Sequence, residues 1–299
     1  MSHVVTLVAN PTQSDLTPEL AASLAQHLPG FQTPVFLHEG IAVDIPFKVE
    51  STGNLKSIEV FLREKIGAIP VDIIVQRRDT RRKSLLIADM DSTMIGQECI
   101  DELAAELGIK QRIAAITERA MRGEIEFEPA LRERVSLLKG LNISIVDQVI
   151  DNRITLTPGG RELVQTMKAN GGYCALVSGG FTVFTGHIAE TIGFDENRAN
   201  TLLAQDNILT GLVGEPILGQ EAKRDRLHAL VREHGLALSQ TLAVGDGAND
   251  LAMIRDAGIG IAFHAKPAVA AEADARIDHG DLTALLYAQG YSREEFVAD

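Results

Sequence analysis

The chain has 299 residues, of which 45% are apolar and 23% charged, and its 28 basic and 41 acidic side chains give a formal net charge of −13. This length suits one large domain or two smaller ones, and the acidic excess argues against binding to nucleic acids or anionic membranes. No apolar run approaches the roughly 20 residues of a membrane helix, and the first residues lack the pattern of a signal peptide. The two cysteines form neither a disulfide framework nor a zinc site. We therefore expect a cytoplasmic protein.

The first 80 residues predict a small unit of their own. Residues 4–9 and 71–75 are apolar runs typical of strands, and the segment 33–48 can hold two more strands around a turn. Two stretches of helical spacing lie between them, the first with Pro18 at its start. The order β-α-β-β-α-β is that of a ferredoxin-like α+β domain. In this order the unit resembles the ACT domains that sense amino acids. We expect an ACT-like domain over residues 1–80, through which two copies could form a homodimer.

Beyond residue 84, short apolar strands alternate with helical patterns. Strands are predicted at residues 85–88, 174–177, 242–244 and 259–263. Such alternation is typical of an α/β fold with a doubly wound, Rossmann-like parallel sheet. Many charges and the lack of a convincing strand indicate a helical cap inserted at about residues 97–155, and turn residues in 202–218 indicate a hairpin. We expect this second domain to span residues 84–299.

Two carboxylates follow the first of these strands, at the edge where an α/β sheet binds its ligands. Asp89 and Asp91 are two residues apart, directly after the apolar residues 85–88. An ordinary polar strand end would explain either residue alone, and the turn glycine and spaced oxygens of a calcium loop are missing. Two carboxylates at this spacing can divide the work of phosphoryl transfer, because one can attack phosphorus while the other handles a proton.

Two further strand ends carry residues suited to phosphate. Ser178 and Gly179 follow the second predicted strand, where glycine and the N–H groups of a helix start let a phosphate approach closely. Asp246 and Asn249 follow a later strand, within a segment whose carboxylates suit a hard cation such as Mg²⁺. Each motif alone could be a simple turn or a helix cap, and Lys223, which lies between them, could be a solvated lysine.

Taken together in chain order, these motifs resemble the haloacid-dehalogenase superfamily of phosphoryl-transfer enzymes. The order is Asp-x-Asp-x-Thr, then Ser-Gly, then Lys, then Gly-Asp-Gly-x-Asn-Asp. Within that superfamily the chain is similar to the phosphoserine phosphatase family in four segments, at residues 89–93, 98–102, 127–140 and 178–181. The resemblance covers about residues 84–280. It implies Mg²⁺-dependent hydrolysis of O-phosphoserine to serine and phosphate, the last step of serine biosynthesis.

The resemblance also implies which residues perform the chemistry. Asp89 matches the nucleophile of the family, which forms an aspartyl-phosphate, and Asp91 matches its acid and base. By the same match, Mg²⁺ would be held by Asp89, by the backbone carbonyl of Asp91 and by Asp246. Without such a cation, a carboxylate would have to approach a dianionic phosphate unaided.

A second group of residues would hold the substrate. By the resemblance, the oxygens of the phosphoryl group would contact the Ser178 hydroxyl, the Gly179 N–H and the Lys223 ammonium. Asn249 matches a position that contacts the substrate. Asp250 is expected to orient Lys223 or the metal shell, without binding either reactant itself.

The helical cap carries the residues expected to select the substrate. Phosphoserine presents a carboxylate and an ammonium, so its site needs one cation and one anion. By the resemblance, Arg134 would bind the carboxylate, Glu98 would bind the ammonium, and Phe127 would cover the substrate in a cap that closes over it. Without the resemblance, Glu98 and Arg134 could be solvated helix charges and Phe127 a core residue.

Two other functions stay open at this point. One is a related phosphatase or phosphotransferase that acts on another small amino-alcohol phosphate. The other is a non-catalytic sensor in which the first domain binds serine and the second is vestigial, although intact Asp89, Asp91, Lys223 and Asp246 argue against decay. In each case we expect a small-molecule ligand and no nucleic-acid or membrane partner.

Overall fold

The N-terminal unit is an antiparallel sheet with two helices, and the computed structural model describes residues 2–13, 16–49, 54–121 and 124–297 of the chain. The strands are β1 (His3–Ala9), β2 (Val35–His38), β3 (Ala42–Phe47) and β4 (Val71–Arg77), and the helices are α1 (Pro18–Ala25) and α2 (Leu55–Ile66). The sheet order β2-β3-β1-β4 and the sequence of elements confirm the ferredoxin-like prediction.

Both faces of this small sheet are buried, because alternate residues of a strand point to opposite sides. Val5 and Leu7 of β1 belong to a cluster that includes Leu62 of α2. Val8, on the other face, and Ile74 of β4 belong to the core of the rest of the chain. The N-terminal unit therefore packs its own helices on one face and the rest of the chain on the other.

The rest of the chain is built on a parallel sheet. Its strands are β5 (Leu85–Ala88), β6 (Tyr173–Phe181), β7 (Glu196–Asn200), β10 (Thr241–Gly245), β11 (Ile259–Phe263) and β12 (Ala275–Ile277). A separate antiparallel hairpin consists of β8 (Leu202–Gln205) and β9 (Ile208–Val213). The order β12-β11-β10-β5-β6-β7 confirms the predicted doubly wound α/β sheet.

Helices flank this sheet and form the insertion after β5. The insertion contains α3 (Cys99–Glu106), α4 (Lys110–Met121), α5 (Phe127–Ser136) and α6 (Ile145–Arg153). The flanking helices are α7 (Gly160–Ala169), α8 (Thr182–Ile192), α9 (Gln220–Glu233), α10 (Leu251–Asp256), α11 (Pro267–Glu272) and α12 (Ala284–Ala288). Across the described ranges, every helix is too short or too polar to span a bilayer.

One strand prediction needs correction, and two strands were missed. The second predicted strand continues through Ser178 and Gly179 to Phe181, although its pairing with β7 is irregular there. The strands β7 and β12 were not predicted. The first is polar along most of its length and lies at the sheet edge, and the second has only three residues, so neither has the long apolar run that identifies a buried strand.

Two sets of backbone hydrogen bonds hold the insertion. Its two connecting segments pair with each other, since Gly96 donates its N–H to Thr155 O at 3.0 Å and Thr157 donates to Met94 O at 3.0 Å. On another side, the end of α5 and the loop after it bond to the β8–β9 hairpin, where Gly140 donates to Leu209 O at 2.9 Å. The cap and the hairpin are therefore connected to each other as well as to the sheet.

Candidate active site

Asp89 and Asp246 directly follow two neighbouring strands, β5 and β10, and Ser178 lies in the last part of β6 on the other side of β5. Ala88, the last residue of β5, is paired with β6 on one side and with β10 on the other. Ser178 and Asp246 lie two residues beyond the positions paired with Ala88, and Asp89 lies one residue beyond it. All three are therefore at the edge of the sheet where α/β proteins bind ligands. The structure thus brings together three motifs that are far apart in the sequence.

The two oxygens of Asp89 have different surroundings. Oδ1 accepts the N–H of Met90 at 2.7 Å and lies 2.7 Å from Nζ of Lys223. Oδ2 receives a longer bond of 3.3 Å from Nδ2 of Asn249. Because Oδ1 has two short partners, Oδ2 is the oxygen better suited to attack phosphorus or to bind a cation.

Lys223 is buried and reaches two carboxylates. Its Nζ lies 2.7 Å from Asp89 Oδ1 and 2.7 Å from Asp250 Oδ1, and its side chain is 2% exposed. Burial alone would lower the pKa of Lys223, but the carboxylates of Asp250 and Asp89 raise it above its ordinary value. The site therefore keeps a positive charge beside Asp89 at neutral pH.

Asp250 is fixed in place by its backbone surroundings as well as by Lys223. Its Oδ2 accepts the N–H of Gly247 at 3.0 Å. A Cβ at Gly245 would collide with the Asp250 carboxyl group, so the glycine at the end of β10 makes room for this carboxylate. Asp250 is thus arranged to orient Lys223.

Asp91 lies against β6, in surroundings that favour the protonated form of its carboxyl group. Its Oδ1 accepts the N–H of Cys99 at 3.1 Å. A Cβ at Gly180 would be 2.7 Å from Oδ2, so only glycine permits this approach. Burial and the nearby carboxylates of Glu98 and Asp89 raise the pKa of Asp91 to about 8. A carboxyl group that is protonated at neutral pH can act as a general acid.

Three carboxylates offer a site for a metal ion. Asp89, Asp246 and Asp250 bring oxygen atoms within 4.8 Å of one another. Burial and the charge of Asp89 raise the pKa of Asp246 to about 7, which indicates crowded negative charge that a cation would relieve. Hard oxygen donors fit a divalent cation of the Mg²⁺ type. Both oxygens of Asp250 have short bonds, of 2.7 Å from Lys223 and 3.0 Å from Gly247. Asp89 Oδ2 and Asp246 Oδ1 have longer ones, of 3.3 Å from Asn249 and 3.4 Å from Thr93, so Asp89 and Asp246 are the better-placed ligands.

The cap covers the segment of Ser178 and Gly179. The Ser178 hydroxyl oxygen accepts the N–H of Gly180 at 2.9 Å, and the side chain is buried. The ring of Phe127 lies over both Gly179 and Gly219, because a Cβ at either glycine would be 3.6 Å or 3.5 Å from a ring atom. Phe127 of the cap therefore lies against β6 and the start of α9.

Glu98 and Arg134 both lie within electrostatic reach of Asp91. Arg134 donates from Nη1 to the Thr117 hydroxyl at 3.3 Å, and its charge interacts with Glu98 and Asp91. Glu98 is exposed and accepts the Ser92 hydroxyl at 2.7 Å. A cation and an anion on the cap thus lie near the predicted acid, in the arrangement that a zwitterionic substrate requires.

Comparison with known proteins identifies the family. Residues 86–255 match the haloacid dehalogenase-like hydrolases. The chain belongs to this family. Hydrolases of the family generally use a divalent metal, and the three-aspartate cluster of this member could bind one.

Individual members of the family match most of the chain. A phosphoserine phosphatase of Streptomyces coelicolor is 37% identical over 297 residues, which are 99% of this chain and 72% of that protein. A solved HAD family hydrolase of Salmonella enterica serovar Typhi superposes with a TM-score of 0.83 at 30% identity, over 96% of this chain and 98% of the other. A solved phospho-aspartyl intermediate analogue of a phosphoserine phosphatase has a TM-score of 0.65 at 43% identity, over 69% and 98% of the two chains.

Three residues of this haloacid dehalogenase-like hydrolase were not singled out from the sequence. Thr93 lies 3.4 Å from Asp246 through its hydroxyl, Thr117 bonds to Arg134, and Asn200 bonds to Gly179. Thr93 was visible inside the first motif but had no assigned partner. Thr117 and Asn200 lie in a polar stretch of the cap and in a polar edge strand, and neither has a local pattern that would have found it.

Proposed function

We propose that this chain is a Mg²⁺-dependent phosphatase that hydrolyses O-phosphoserine to serine and phosphate. The main support for this proposal is the difference between the surroundings of Asp89 and those of Asp91. Asp89 is oriented by the Met90 N–H and by Lys223. Asp91 instead accepts the Cys99 N–H through Oδ1 and lies against Gly180 through Oδ2, where burial and the charges of Glu98 and Asp89 raise its pKa. Similarity to phosphoserine phosphatases over nearly the whole chain supports the substrate. The reaction would be the last step of serine biosynthesis.

In the first step, Asp89 Oδ2 forms a bond to phosphorus while the bond from phosphorus to the serine oxygen breaks. The departing alkoxide needs a proton, which Asp91 donates. This route makes an aspartyl-phosphate and divides one difficult hydrolysis into two easier steps. Unactivated phosphate monoesters require such help because their spontaneous hydrolysis is extremely slow.

In the second step, a water molecule attacks the phosphorus of the aspartyl-phosphate. Asp91, which has lost its proton, removes one from that water, and the bond between phosphorus and Asp89 breaks. Inorganic phosphate leaves, Asp89 is again a carboxylate, and Asp91 is again protonated. The pair therefore returns to its starting state after each turnover.

The remaining polar groups of the site would hold the phosphoryl oxygens. Lys223 would donate a hydrogen bond to a phosphoryl oxygen and loosen its contact with Asp89. The Ser178 hydroxyl and the Gly179 N–H, both on β6, would bind other phosphoryl oxygens. Mg²⁺, held by Asp89, Asp246 and the backbone carbonyl of Asp91, would neutralise charge between the attacking carboxylate and the phosphate. Asn249, which already bonds to Asp89, would contact the substrate.

The cap would recognise the serine part of the substrate. Arg134 would bind its carboxylate and Glu98 its ammonium, because these opposite charges both lie near Asp91. Phe127 would close the site above Gly179 and exclude water from the aspartyl-phosphate until the serine has left. A phosphate ester that lacks either charged group should therefore be a poorer substrate.

A phosphate-release assay tests the proposal. We expect the purified chain to release phosphate from O-phosphoserine in the presence of Mg²⁺ and to lose this activity in a chelator. Phosphoethanolamine, which lacks the carboxylate, and 3-phosphoglycerate, which lacks the ammonium, should be hydrolysed with lower kcat/KM. A preference for either compound over phosphoserine would reject the substrate assignment.

Two further expectations go with this function. An acidic metabolic enzyme of this kind is expected in the cytoplasm, and pairing of two copies through the N-terminal unit stays a prediction. Cell fractionation tests the first, and the molar mass in solution tests the second.

A further inference from the structure

Asn200 joins two segments of the site through a single buried amide. Its Nδ2 donates to Gly179 O at 2.9 Å and to Leu218 O at 3.3 Å. Its Oδ1 accepts the N–H of Leu218 at 2.7 Å. The residue is 2% exposed. Two carbonyl acceptors and one N–H donor fix the orientation of this amide, because reversing it would leave all three groups without a suitable partner.

The two segments that Asn200 joins carry the groups assigned to the phosphoryl oxygens. Gly179 follows Ser178 on β6, and its own N–H is part of the proposed phosphate site. Leu218 directly precedes Gly219 and α9, whose first turns bring Lys223 to within 2.7 Å of Asp89. The amide therefore sets the spacing between the hydroxyl and N–H groups on one side of the phosphate and the ammonium on the other.

The same residue closes the base of the β8–β9 hairpin. Asn200 ends β7, just before the hairpin, and Leu218 lies a few residues after it. The hairpin in turn bonds to the cap, where Leu209 also donates its N–H to Leu141 O at 2.8 Å. A change of cap position that moves the hairpin therefore acts on both segments through this amide.

We propose that Asn200 is a positioning residue for the phosphoryl group. It holds the Ser178–Gly179 segment and the start of α9 at the separation that lets Ser178, the Gly179 N–H and Lys223 contact one phosphate together. The inference rests on the proposed roles of these three groups. It concerns the phosphoryl group alone, and so it does not depend on which alcohol the phosphate esterifies.

Two substitutions separate this role from general stability. Asn200→Asp keeps the size and the acceptor for the Leu218 N–H, but it places a carboxylate oxygen opposite two carbonyl oxygens. Asn200→Ala removes all three bonds. Thr185→Val is the matched control. Thr185 is also buried and also bonds to β7, through Asn197 at 2.9 Å, and among the described residues its hydroxyl has no hydrogen bond to Gly179 or Leu218.

The measurements are kcat/KM for phosphoserine and for an aryl phosphate, and the inhibition constant of inorganic phosphate. Each rate is normalised to the fraction of folded chain found by thermal unfolding. We expect both Asn200 variants to lower kcat/KM for the two substrates by a similar factor, about 10- to 100-fold, because small displacements of positioning groups have effects of this size. The inhibition constant of phosphate should rise, and Thr185→Val should change none of these quantities.

Other outcomes would overturn the proposed role of Asn200 or the proposed substrate of the enzyme. Unchanged kcat/KM in folded Asn200→Asp or Asn200→Ala overturns it, as does a loss confined to phosphoserine. If neither variant yields a folded chain, Asn200 is a structural residue and the proposal is likewise overturned. If the unsubstituted chain hydrolyses the aryl phosphate but not phosphoserine, the proposed function fails, while the aryl phosphate still tests Asn200.

Discussion

Lys223 and Asp89 form an ion pair of 2.7 Å in which the two side chains are only 2% and 4% exposed. The same ammonium lies 2.7 Å from Asp250. One buried cation therefore lies between two buried aspartates, and a phosphate that enters the site must share this cation. Lys223 is therefore expected to contribute both to the stability of the fold and to the first chemical step.

Replacing Lys223 with methionine should damage both stability and activity. Removal of one partner from a buried ion pair leaves uncompensated charge, and we expect the free energy of unfolding to fall by about 3–5 kcal/mol. Turnover should fall by at least about 10²-fold, because a preorganised cation at the phosphoryl group is lost. Urea unfolding measures the first effect and phosphate release the second.

The control for this change is Lys168→Met. Lys168 also forms an ion pair of 2.8 Å, with Asp195, but the lysine is 34% exposed. The pair is partly exposed, and ion pairs screened by solvent contribute only about 0–1 kcal/mol. This variant should therefore lose much less stability than Lys223→Met and should keep its activity. Equal stability of the Lys168 and Lys223 variants would mean that the buried pair does not stabilise the fold.

Asp91→Asn should slow the reaction to a degree that depends on the leaving group. With phosphoserine we expect a loss on the order of 10²–10⁴-fold in kcat, because the amide cannot donate the proton that the serine alkoxide needs. An aryl phosphate should lose less in the formation of the phosphoenzyme, since a phenolate departs without a proton. Single-turnover kinetics with both substrates measure this difference, and equal losses would show that Asp91 is not the general acid.

The same assignment predicts a pH dependence. A carboxyl group with a pKa raised to about 8 is protonated below that value and ionised above it. The activity of the unsubstituted chain on phosphoserine should therefore decline as the pH rises through this range, whereas phosphoenzyme formation from an aryl phosphate should decline less. The decline should be absent in Asp91→Asn, whose residual activity has no such proton to lose.

Strands could be predicted from the sequence where burial requires a continuous run of apolar residues. The strands at Leu85–Ala88 and Ile259–Phe263 have the predicted bounds because they are central or fully covered and therefore apolar throughout. The edge strand Glu196–Asn200 is paired on one side only and tolerates polar residues, so apolar periodicity did not reveal it. Local patterns thus identified the centre of the sheet better than its margins.

Some residues of the candidate site could likewise be predicted from local patterns, and others could not. Asp89, Asp91 and Asp246 stand in short motifs at strand ends, where the topology of a parallel sheet predicts that they meet. Asn200 gave no such signal, because its bonds reach residues 21 and 18 positions away in the sequence. Contacts of this kind depend on how separate segments pack and have no period that a sequence reading can detect.

Removal of the metal should abolish turnover, and Mg²⁺ should restore it. Asp246→Ala should raise the Mg²⁺ concentration needed for half-maximal activity by at least about tenfold, because a direct ligand is lost. Mg²⁺ should also raise the melting temperature of the unsubstituted chain by binding to its folded state, and raise that of the variant less. Full activity in a demonstrably metal-free preparation would contradict the metal site.

The control and the pH dependence sharpen this test. Asp256→Ala removes a carboxylate that pairs with His228 at 2.7 Å, away from the cluster, and should leave the Mg²⁺ requirement unchanged. Because the pKa of Asp246 is raised to about 7, its carboxylate gains a proton below that pH. The Mg²⁺ concentration required should therefore increase as the pH falls from about 8 to about 6.

Arg134→Ala should weaken the recognition of phosphoserine more than the chemistry at phosphorus. The carboxylate that the guanidinium is proposed to bind lies at the far end of the substrate from phosphorus. A charge-assisted contact contributes at most a few kcal/mol, so we expect kcat/KM for phosphoserine to fall about 10- to 10³-fold. Phosphoethanolamine has no carboxylate. Its kcat/KM, which is already low in the unsubstituted chain, should therefore fall little further in the variant. Glu98→Gln should show the mirror pattern, with phosphoserine penalised and 3-phosphoglycerate spared.

Arg132→Ala is the matched control for Arg134→Ala. Both arginines lie on α5, but Arg132 is exposed and pairs with Glu215 near the hairpin, so its loss should leave the preference for phosphoserine intact. If part of the Arg134 binding energy closes the cap, kcat for phosphoserine should fall together with the rise in KM. Equal losses for phosphoserine and phosphoethanolamine in Arg134→Ala would mean that the guanidinium acts on the phosphate or on the fold. The carboxylate of the substrate would then need another partner, and the preference for an amino acid would have no basis in the cap.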